Sequence, residues 1–470
     1  MLFNSFEFLA FLPLILVLYW GIAYKYIQLQ NGVLLIASYI FYGWWDWRFL
    51  SLIGLSTLVD YCVGFGIYKS NTKTTKKRWL WGSIIFNLGL LGYFKYYNFF
   101  VDSWIQMLSN FGYQSENTWV LQVILPVGIS FYTFQTMSYS IDIYREKLKP
   151  TKNFIAFAAF VSFFPQLVAG PIERATNLLP QFLNKREFTH KTFSYGIKLM
   201  IWGFFLKLVV ADRAAIYVNA VYNNFESHEG LSYIVATVFF AFQIYGDFAG
   251  YSLIAIGTAK LFGFDLMTNF NRPYFSASVS EFWTRWHISL STWFRDYVYI
   301  PLGGNRVVKP RWLFNLFITF LISGLWHGAN WTFVIWGGLN GIYLIIEVLI
   351  GSKNRKGILN VLMTFMLINF AWIFFRANTI EQALSMIKTI VTSPGRLYIG
   401  SGDDIAASIY AAVAIAILVM VEIKKEYFNQ LFSISNNRLE IIRLGGYAIV
   451  VFLILYLGVF GESQFIYFQF

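Results

Sequence analysis

Residues Glu281 to Gly341 read EFWTRWHISLSTWFRDYVYIPLGGNRVVKPRWLFNLFITFLISGLWHGANWTFVIWGGLNG. The stretch holds two of the four histidines in the chain, His287 and His327, each directly preceded by a tryptophan, Trp286 and Trp326. Its second half is apolar over 313–350 and has basic residues on both flanks, Lys309 and Arg311 before it and Lys353 to Lys356 after it. Lys and Arg concentrate in cytoplasmic loops of membrane proteins, so a run with two basic flanks enters and leaves on the same side. The stretch therefore reads as a helical hairpin that turns near residue 331, with His327 at its deep end. Ionisable groups at membrane depth are costly and mark functional sites by default.

The rest of the chain has the same character. Of its 470 residues 57% are hydrophobic, 21% aromatic and 13% charged, with a mean hydropathy of +0.55, whereas soluble domains carry about 25% charged residues. At roughly 20 apolar residues per span this length accommodates about ten to twelve transmembrane helices. The apolar runs are continuous and lack the alternation of barrel strands. The expected fold is an all-α integral membrane protein, one polytopic domain over residues 1–470, with re-entrant and interfacial helices added to the spans. No internal repeat or low-complexity linker divides it.

The net charge of +12 sits in short loops between apolar runs, which argues against nucleic acid and for membrane orientation. Cys62 is the lone cysteine, so neither an internal disulfide nor a Cys-ligated metal is supported. Phe8 to Ala23 has no basic segment before it and no small-residue cleavage site after it, and is read as the first span.

Loop charge then sets a zigzag. The basic loop Lys69 to Arg78 is cytoplasmic, and runs near 52–68, 31–46 and 5–24 place the N-terminus outside. Forwards, 79–100 leads to the polar stretch Asp102 to Thr118, and 119–143 returns to Arg145, Lys147, Lys149 and Lys152. The apolar run 154–169 has basic loops on both sides and ends in FFPQLVAGPIER (Phe163 to Arg174), whose Pro165, Gly170 and Pro171 interrupt a helix. Broken backbone at membrane depth requires cover by protein or a water cavity, so this is read as a re-entrant hairpin. The runs 195–222 and 231–262 cross out and back around the acidic loop Asn223 to Gly230, which carries His228. Final spans near 358–376, 405–423 and 444–460 alternate through Thr392 to Asp404 outside and Lys424 to Arg443 inside, leaving the C-terminus outside.

Two histidines could carry chemistry. A neutral imidazole at His327 could take a proton from a hydroxyl at physiological pH, Gly324, Gly328 and Ala329 would admit a substrate or a helix closely, and Asn330 could orient the ring or polarise a carbonyl. The alternative is a packing histidine. His287 lies in WTRWHISLSTWFRDYVY, where Trp283, Trp286, Ile288, Leu290 and Phe294 oppose Glu281, Arg285, Arg295 and Asp296 at helical spacing. An interfacial helix explains that pattern, though not the choice of histidine. The histidines are forty residues apart by number (327 − 287 = 40) and have no nearby Cys/His set to complete a metal site. Asp247 and Asp265 could be metal ligands or ring-orienting partners, with a hydrogen-bonded structural role the simpler expectation. Ser289 and Ser291 lack the GxSxG context of a hydrolase nucleophile.

These residues together resemble the membrane-bound O-acyltransferases, in particular the bacterial branch of alginate and cell-wall polysaccharide O-acetyltransferases. The resemblance rests on Phe163 to Arg174, FQIYGDFAGYSLIAIG (Phe242 to Gly257), Phe270 to Arg306, GLWHGANWTFVIWGGLNG (Gly324 to Gly341) and the terminal FIYFQF (Phe465 to Phe470). Relatives commonly carry an acidic residue after the Tyr-Ser pair where this chain has Leu253; Asp247 matches. The resemblance implies that His327 is the catalytic histidine and His287 its companion, with Trp326, Asn330 and Asp247 in support. It implies no bound cofactor, a cytoplasmic donor such as acetyl-CoA, and an acceptor reached from outside through a cavity ending at His327. Arg285, Arg295 and Arg306 would suit CoA phosphates, and so would Lys309 and Arg311, for which an ordinary positive-inside excess is the simpler account. It further implies a bacterial inner-membrane location, a polysaccharide acceptor and an extracytoplasmic SGNH-type transferase as partner. Two alternatives stay open: a teichoic acid D-alanyl transferase fed by a carrier-protein thioester, and a transporter or flippase, which would show inverted repeats. A lipid acyltransferase is a third.

Overall fold

Hydrocarbon offers no hydrogen-bond partner to a peptide group, so a chain of this composition must satisfy its backbone internally. The computed structural model describes every residue except 114–119, 122–123, 169, 352–354, 401–402, 429–439, 462–464 and 467–470, and among the described residues all regular structure is helical. Parts of the expected loops at 102–118, 353–356, 392–404 and 424–443, Ala169 of the broken segment, and the last four residues of FIYFQF lie outside the described residues. Among the described residues five helical stretches are long and apolar enough to cross a membrane: Trp47–Lys69, Gly230–Leu261, Trp331–Ile350, Ile358–Arg376 and Ile405–Tyr427. Shorter apolar helical stretches are Phe6–Ile22, Phe154–Leu167 and Arg443–Leu457. The chain is a multi-pass helical membrane protein.

Backbone contacts divide it into two compact units, Met1–Ile197 with Ala255–Met267, and Lys198–Ile254 with Thr268–Phe470. In the first, the segment expected to be re-entrant is a broken helix. Phe154–Ser162 has nine residues, about 14 Å at 1.5 Å per residue, well short of a hydrocarbon core of about 30 Å. One further turn follows at Phe164–Leu167 before Ala175–Leu183 begins. Protein covers the break: Ser38 Oγ accepts from Phe164 N–H at 3.0 Å, and Gln135 Nε2 donates to Phe160 O at 2.9 Å. Nearby helices share a buried carboxylate. Asp60 accepts from Ser83 Oγ (2.5 Å), Ser140 Oγ (2.7 Å) and Asn87 Nδ2 (2.8 Å), so neutral donors compensate its desolvation.

The second unit contains the expected hairpin. Lys309–His327 and Trp331–Ile350 are joined by Gly328 to Asn330, which places His327 as the last residue of the first helix. The two axes approach closely because each presents a glycine to the other. A Cβ on Gly324 would overlap the carbonyl oxygen of Phe333, and one on Gly337 that of Phe320.

The stretch around His287 departs from the single interfacial helix expected from its spacing. It is two seven-residue helices, Val279–Arg285 and Ile288–Phe294, and a π-helical turn Arg295–Tyr299. The break falls at Trp286 and His287, both 0% exposed, with His287 left-handed at φ +42°. Helical spacing of aromatics satisfies a broken, buried chain as well as a surface helix. What decides here is pairing with a distant strand of loop: Ile288 N–H donates to Asn269 O and Asn271 N–H to Arg285 O, both at 2.9 Å.

The glycine crossing can be tested with neighbouring positions. Gly337→Leu is expected to destabilise the detergent-solubilised protein by about 1–3 kcal/mol through overpacking. Gly338→Ala, whose added Cβ would meet Leu321 at 3.8 Å, should leave the thermal midpoint nearly unchanged. Equal midpoints for the two variants would contradict the crossing.

Candidate active site around His327

His327 is 2% exposed and sits in an aromatic enclosure. Trp336 meets its ring edge-on at 5.0 Å, Trp326 at 5.1 Å and Phe375 at 5.7 Å, and the His287 ring lies 6.3 Å away, centroid to centroid. Trp336 is in turn stacked on Trp372 at 5.6 Å. Such packing fixes the plane of the imidazole without offering it a charge.

His287 is held differently. Its Nδ1 lies 3.1 Å from Asn269 Oδ1, which also accepts from Ser289 N–H (3.2 Å) and Ser289 Oγ (2.9 Å). The backbone N–H of Ser289 can only donate, so the Asn269 atom is the oxygen, and the facing ring nitrogen must carry the hydrogen. The neutral tautomer therefore keeps its lone pair on Nε2. Phe248 packs edge-on at 4.5 Å. His287 lies outside the candidate spans, and burial, aided by the neighbouring His327, holds its pKa well below the usual imidazole value.

Two cavities of the second unit approach the end of the hairpin helix. One, of about 450 Å³, is mostly apolar and is lined by Trp283, Leu290, Leu316, Phe320 and Ser323 among others. The other, of about 690 Å³, is lined by Lys207, Asp247, Asn330, Phe375, Arg376 and Asn378 among others. Ser323 lies about one turn before His327, and Ala329 and Asn330 come just after Gly328, which follows it. Residues on either side of His327 in the sequence thus line different cavities, Ser323 the apolar one and Ala329 and Asn330 the polar one.

The polar cavity has an ionic wall. Lys207, 1% exposed, bridges Asp212 at 2.8 Å and Asp247 at 2.6 Å. It projects from a π-helical turn, Phe205–Ala211, between the helices His190–Phe204 and Asp212–Tyr222. Arg376 Nη2 donates to Asn219 (2.9 Å) and Asn223 (3.2 Å).

The other expected residues are distributed around this centre. Asn330 caps the second hairpin helix, its Oδ1 accepting from Thr332 N–H and its Nδ2 donating to Asn378 O, each at 3.0 Å. Arg285 donates to Glu281 (2.6 Å) and Glu426 (2.9 Å). Arg295 pairs with Asp296 at 2.8 Å and is largely exposed, as is Arg306. Asp247 is buried in the ionic wall, whereas Asp265 pairs at the surface with Lys260. Sequence reading missed Lys207, Asn269, Trp336, Trp372 and Arg376. A lysine inside the apolar run 195–222 was a legible signal; the roles of Asn269 and the tryptophans depend on contacts across the fold.

A buried neutral histidine makes stability fall in acid. The folded pKa of His287 is below the unfolded value, so its contribution is intact above about pH 6.5 and declines below it by up to about 1.4 kcal/mol per pH unit. Asparagine tolerates a left-handed backbone, so His287→Asn should flatten the acid limb of the thermal midpoint in detergent between about pH 7 and pH 5. An unchanged acid limb would remove His287 as its source.

A sequence model described as "MBOAT, membrane-bound O-acyltransferase family" matches residues 40–376. The chain is 44% identical over 396 residues to a probable alginate O-acetylase, AlgI, of Pseudomonas aeruginosa, covering 83% of this chain and 75% of that protein. It is 38% identical over 394 residues to a peptidoglycan O-acetyltransferase of Helicobacter pylori, covering 76% and 73%. A teichoic acid D-alanyltransferase of Streptococcus thermophilus is more distant, 28% identical over 288 residues and covering 52% and 68%. With an all-helical fold, a buried histidine pair and matches over most of its length, this chain belongs to the membrane-bound O-acyltransferase family.

Proposed function

We propose that this O-acyltransferase moves an acetyl group from cytoplasmic acetyl-CoA across the bacterial inner membrane for O-acetylation of an extracytoplasmic polysaccharide or peptidoglycan. The observation that carries the reading is that buried His327 ends a helix whose neighbouring residues line two cavities, Ser323 the apolar one and Ala329 and Asn330 the polar one. The apolar cavity suits the thioester arm of the donor; the polar one suits an acceptor hydroxyl. The two most similar relatives described above, named for O-acetylation of alginate and peptidoglycan, support acetate as the group transferred.

The chemistry balances with these residues alone. A ring nitrogen of His327 takes the proton of the acceptor hydroxyl as its oxygen attacks the thioester carbonyl. The C–S bond breaks, and the departing thiolate receives the proton. His287, its tautomer set by Asn269, positions a substrate or stabilises developing charge, and the enclosing aromatics exclude water from the thioester. Trp326 packs directly on the catalytic ring, and Asn330 holds the turn that ends its helix. For the donor phosphates, exposed Arg295 and Arg306 are the direct contacts, while Arg285, shared between Glu281 and Glu426, contributes by holding the shelf. The full topology has about ten to twelve spans with both termini outside, and an SGNH-type partner receives the acetyl group.

His327→Ala should lower acetyl transfer in membranes by about 10²–10⁴-fold while protein level and thermal midpoint persist. Activity within a few-fold of the parent would remove His327 as the base. Supplying acetyl-CoA against a carrier-protein D-alanyl thioester decides the donor, and loss of O-linked acetate rather than ester-linked D-alanine from the envelope of a deletion strain decides the product.

A further inference from the structure

The polar cavity contains a piece of the chain that the chemistry above does not use. Ile466, from the terminal motif, lines it, and Asp247 Oδ2 accepts the Ile466 backbone N–H at 2.7 Å. Ile466 is 4% exposed and Phe465 is 0% exposed, with Phe465 packed against Tyr251 at 4.6 Å and Phe248 at 5.6 Å. The chain leading towards it is tied down as well: Arg213 Nε donates to Leu457 O at 2.6 Å, and Val459 N–H to Leu208 O at 3.1 Å.

Charge explains the choice of residue. Lys207 brings one positive charge against the carboxylates of Asp212 and Asp247, so these ion pairs leave one negative charge in excess. A buried excess carboxylate needs donors, and a peptide N–H given to it makes a charge-assisted bond stronger than an ordinary one. Asp212 pairs with the same lysine, yet the bond to Ile466 is made by Asp247. The contact is to main chain, so it fixes where the segment lies whatever side chain stands at 466.

We propose that Asp247 is a positioning residue that seats the chain's own Phe465–Ile466 segment as one wall of the polar cavity. Lys207, shared with Asp212, orients the carboxylate, and the Phe248–Tyr251 face clamps the adjoining ring. The seat brings the backbone at Ile466 to the cavity in which the acceptor is read to bind, so its effect on transfer rests on the reading under Proposed function. The seat itself does not.

The test uses full-length protein in detergent with Cys62→Ser, since Cys62 is exposed, and Ile466→Cys as the only thiol. Maleimide labelling of that thiol reports release of the segment. Labelling should be slow in this parent, faster by about tenfold or more with Asp247→Ala, and slow again with Asp247→Glu and with Asp212→Asn. If Asp247→Ala strands Lys207 and fails to fold, the Lys207→Met/Asp247→Ala double variant removes the stranded cation and should label equally fast. Slow labelling of the folded Asp247→Ala or double variant, or labelling of Asp212→Asn as fast as Asp247→Ala, overturns the seat. In transfer assays the released variants should raise the apparent KM for the acceptor and leave that for the donor unchanged; an unchanged acceptor KM beside rapid labelling overturns the positioning role. Labelling needs no donor, so an error in the assigned reaction would show in the assays and not in the labelling.

Discussion

Lipid cannot hydrogen-bond, and that one absence governs how this protein handles its polar residues. Three buried ionisable groups show this, each met by a specific set of partners from its own unit. Asp60 has three neutral donors, Lys207 has two carboxylates, and His287 has Asn269. Removing one partner from a buried ion pair costs about 3–5 kcal/mol, more than the pair itself contributes. The polar groups therefore specify arrangement more than they add stability, and two of the three sets stand beside or within the site.

The site depends on two departures from regular helix. Seven residues of π-helix present Lys207 to Asp247, and a left-handed residue turns the chain at His287. Both cost energy in isolation, and both are held by tertiary bonds: the ion pairs at the first, the Asn269 backbone and side chain at the second. Wider turns and positive φ in side-chain-bearing residues recur where geometry serves chemistry. His327 needs neither device. It ends a regular helix whose crossing with its partner is fixed by Gly324 and Gly337, so its position follows from close backbone packing.

Aromatic residues do the remaining work around His327. Trp326, Trp336 and Phe375 surround it with large, stiff side chains, and Trp372 backs Trp336; such side chains lose few rotamers on burial and keep the ring in place. An imidazole so enclosed is held in one orientation and shielded from water.

Much of this was legible in the chain. Two basic flanks around 313–350 required a hairpin, and His327 does end its first helix; proline and glycine in Phe163 to Arg174 required a broken helix, and it is broken. Hydropathy and loop charge act over a few adjacent residues, so they can be read locally. The break at His287, the tautomer set by Asn269 and the Lys207–Asp247 wall could not be read that way. Each joins residues far apart in number, 269 with 287 and 207 with 247, and helical spacing of aromatics is the same for a surface helix as for a buried kink. The sequence by itself determined which residues are too polar for lipid to tolerate alone; only the tertiary structure decided which partner each one found, because burial makes a polar group need a partner without naming it.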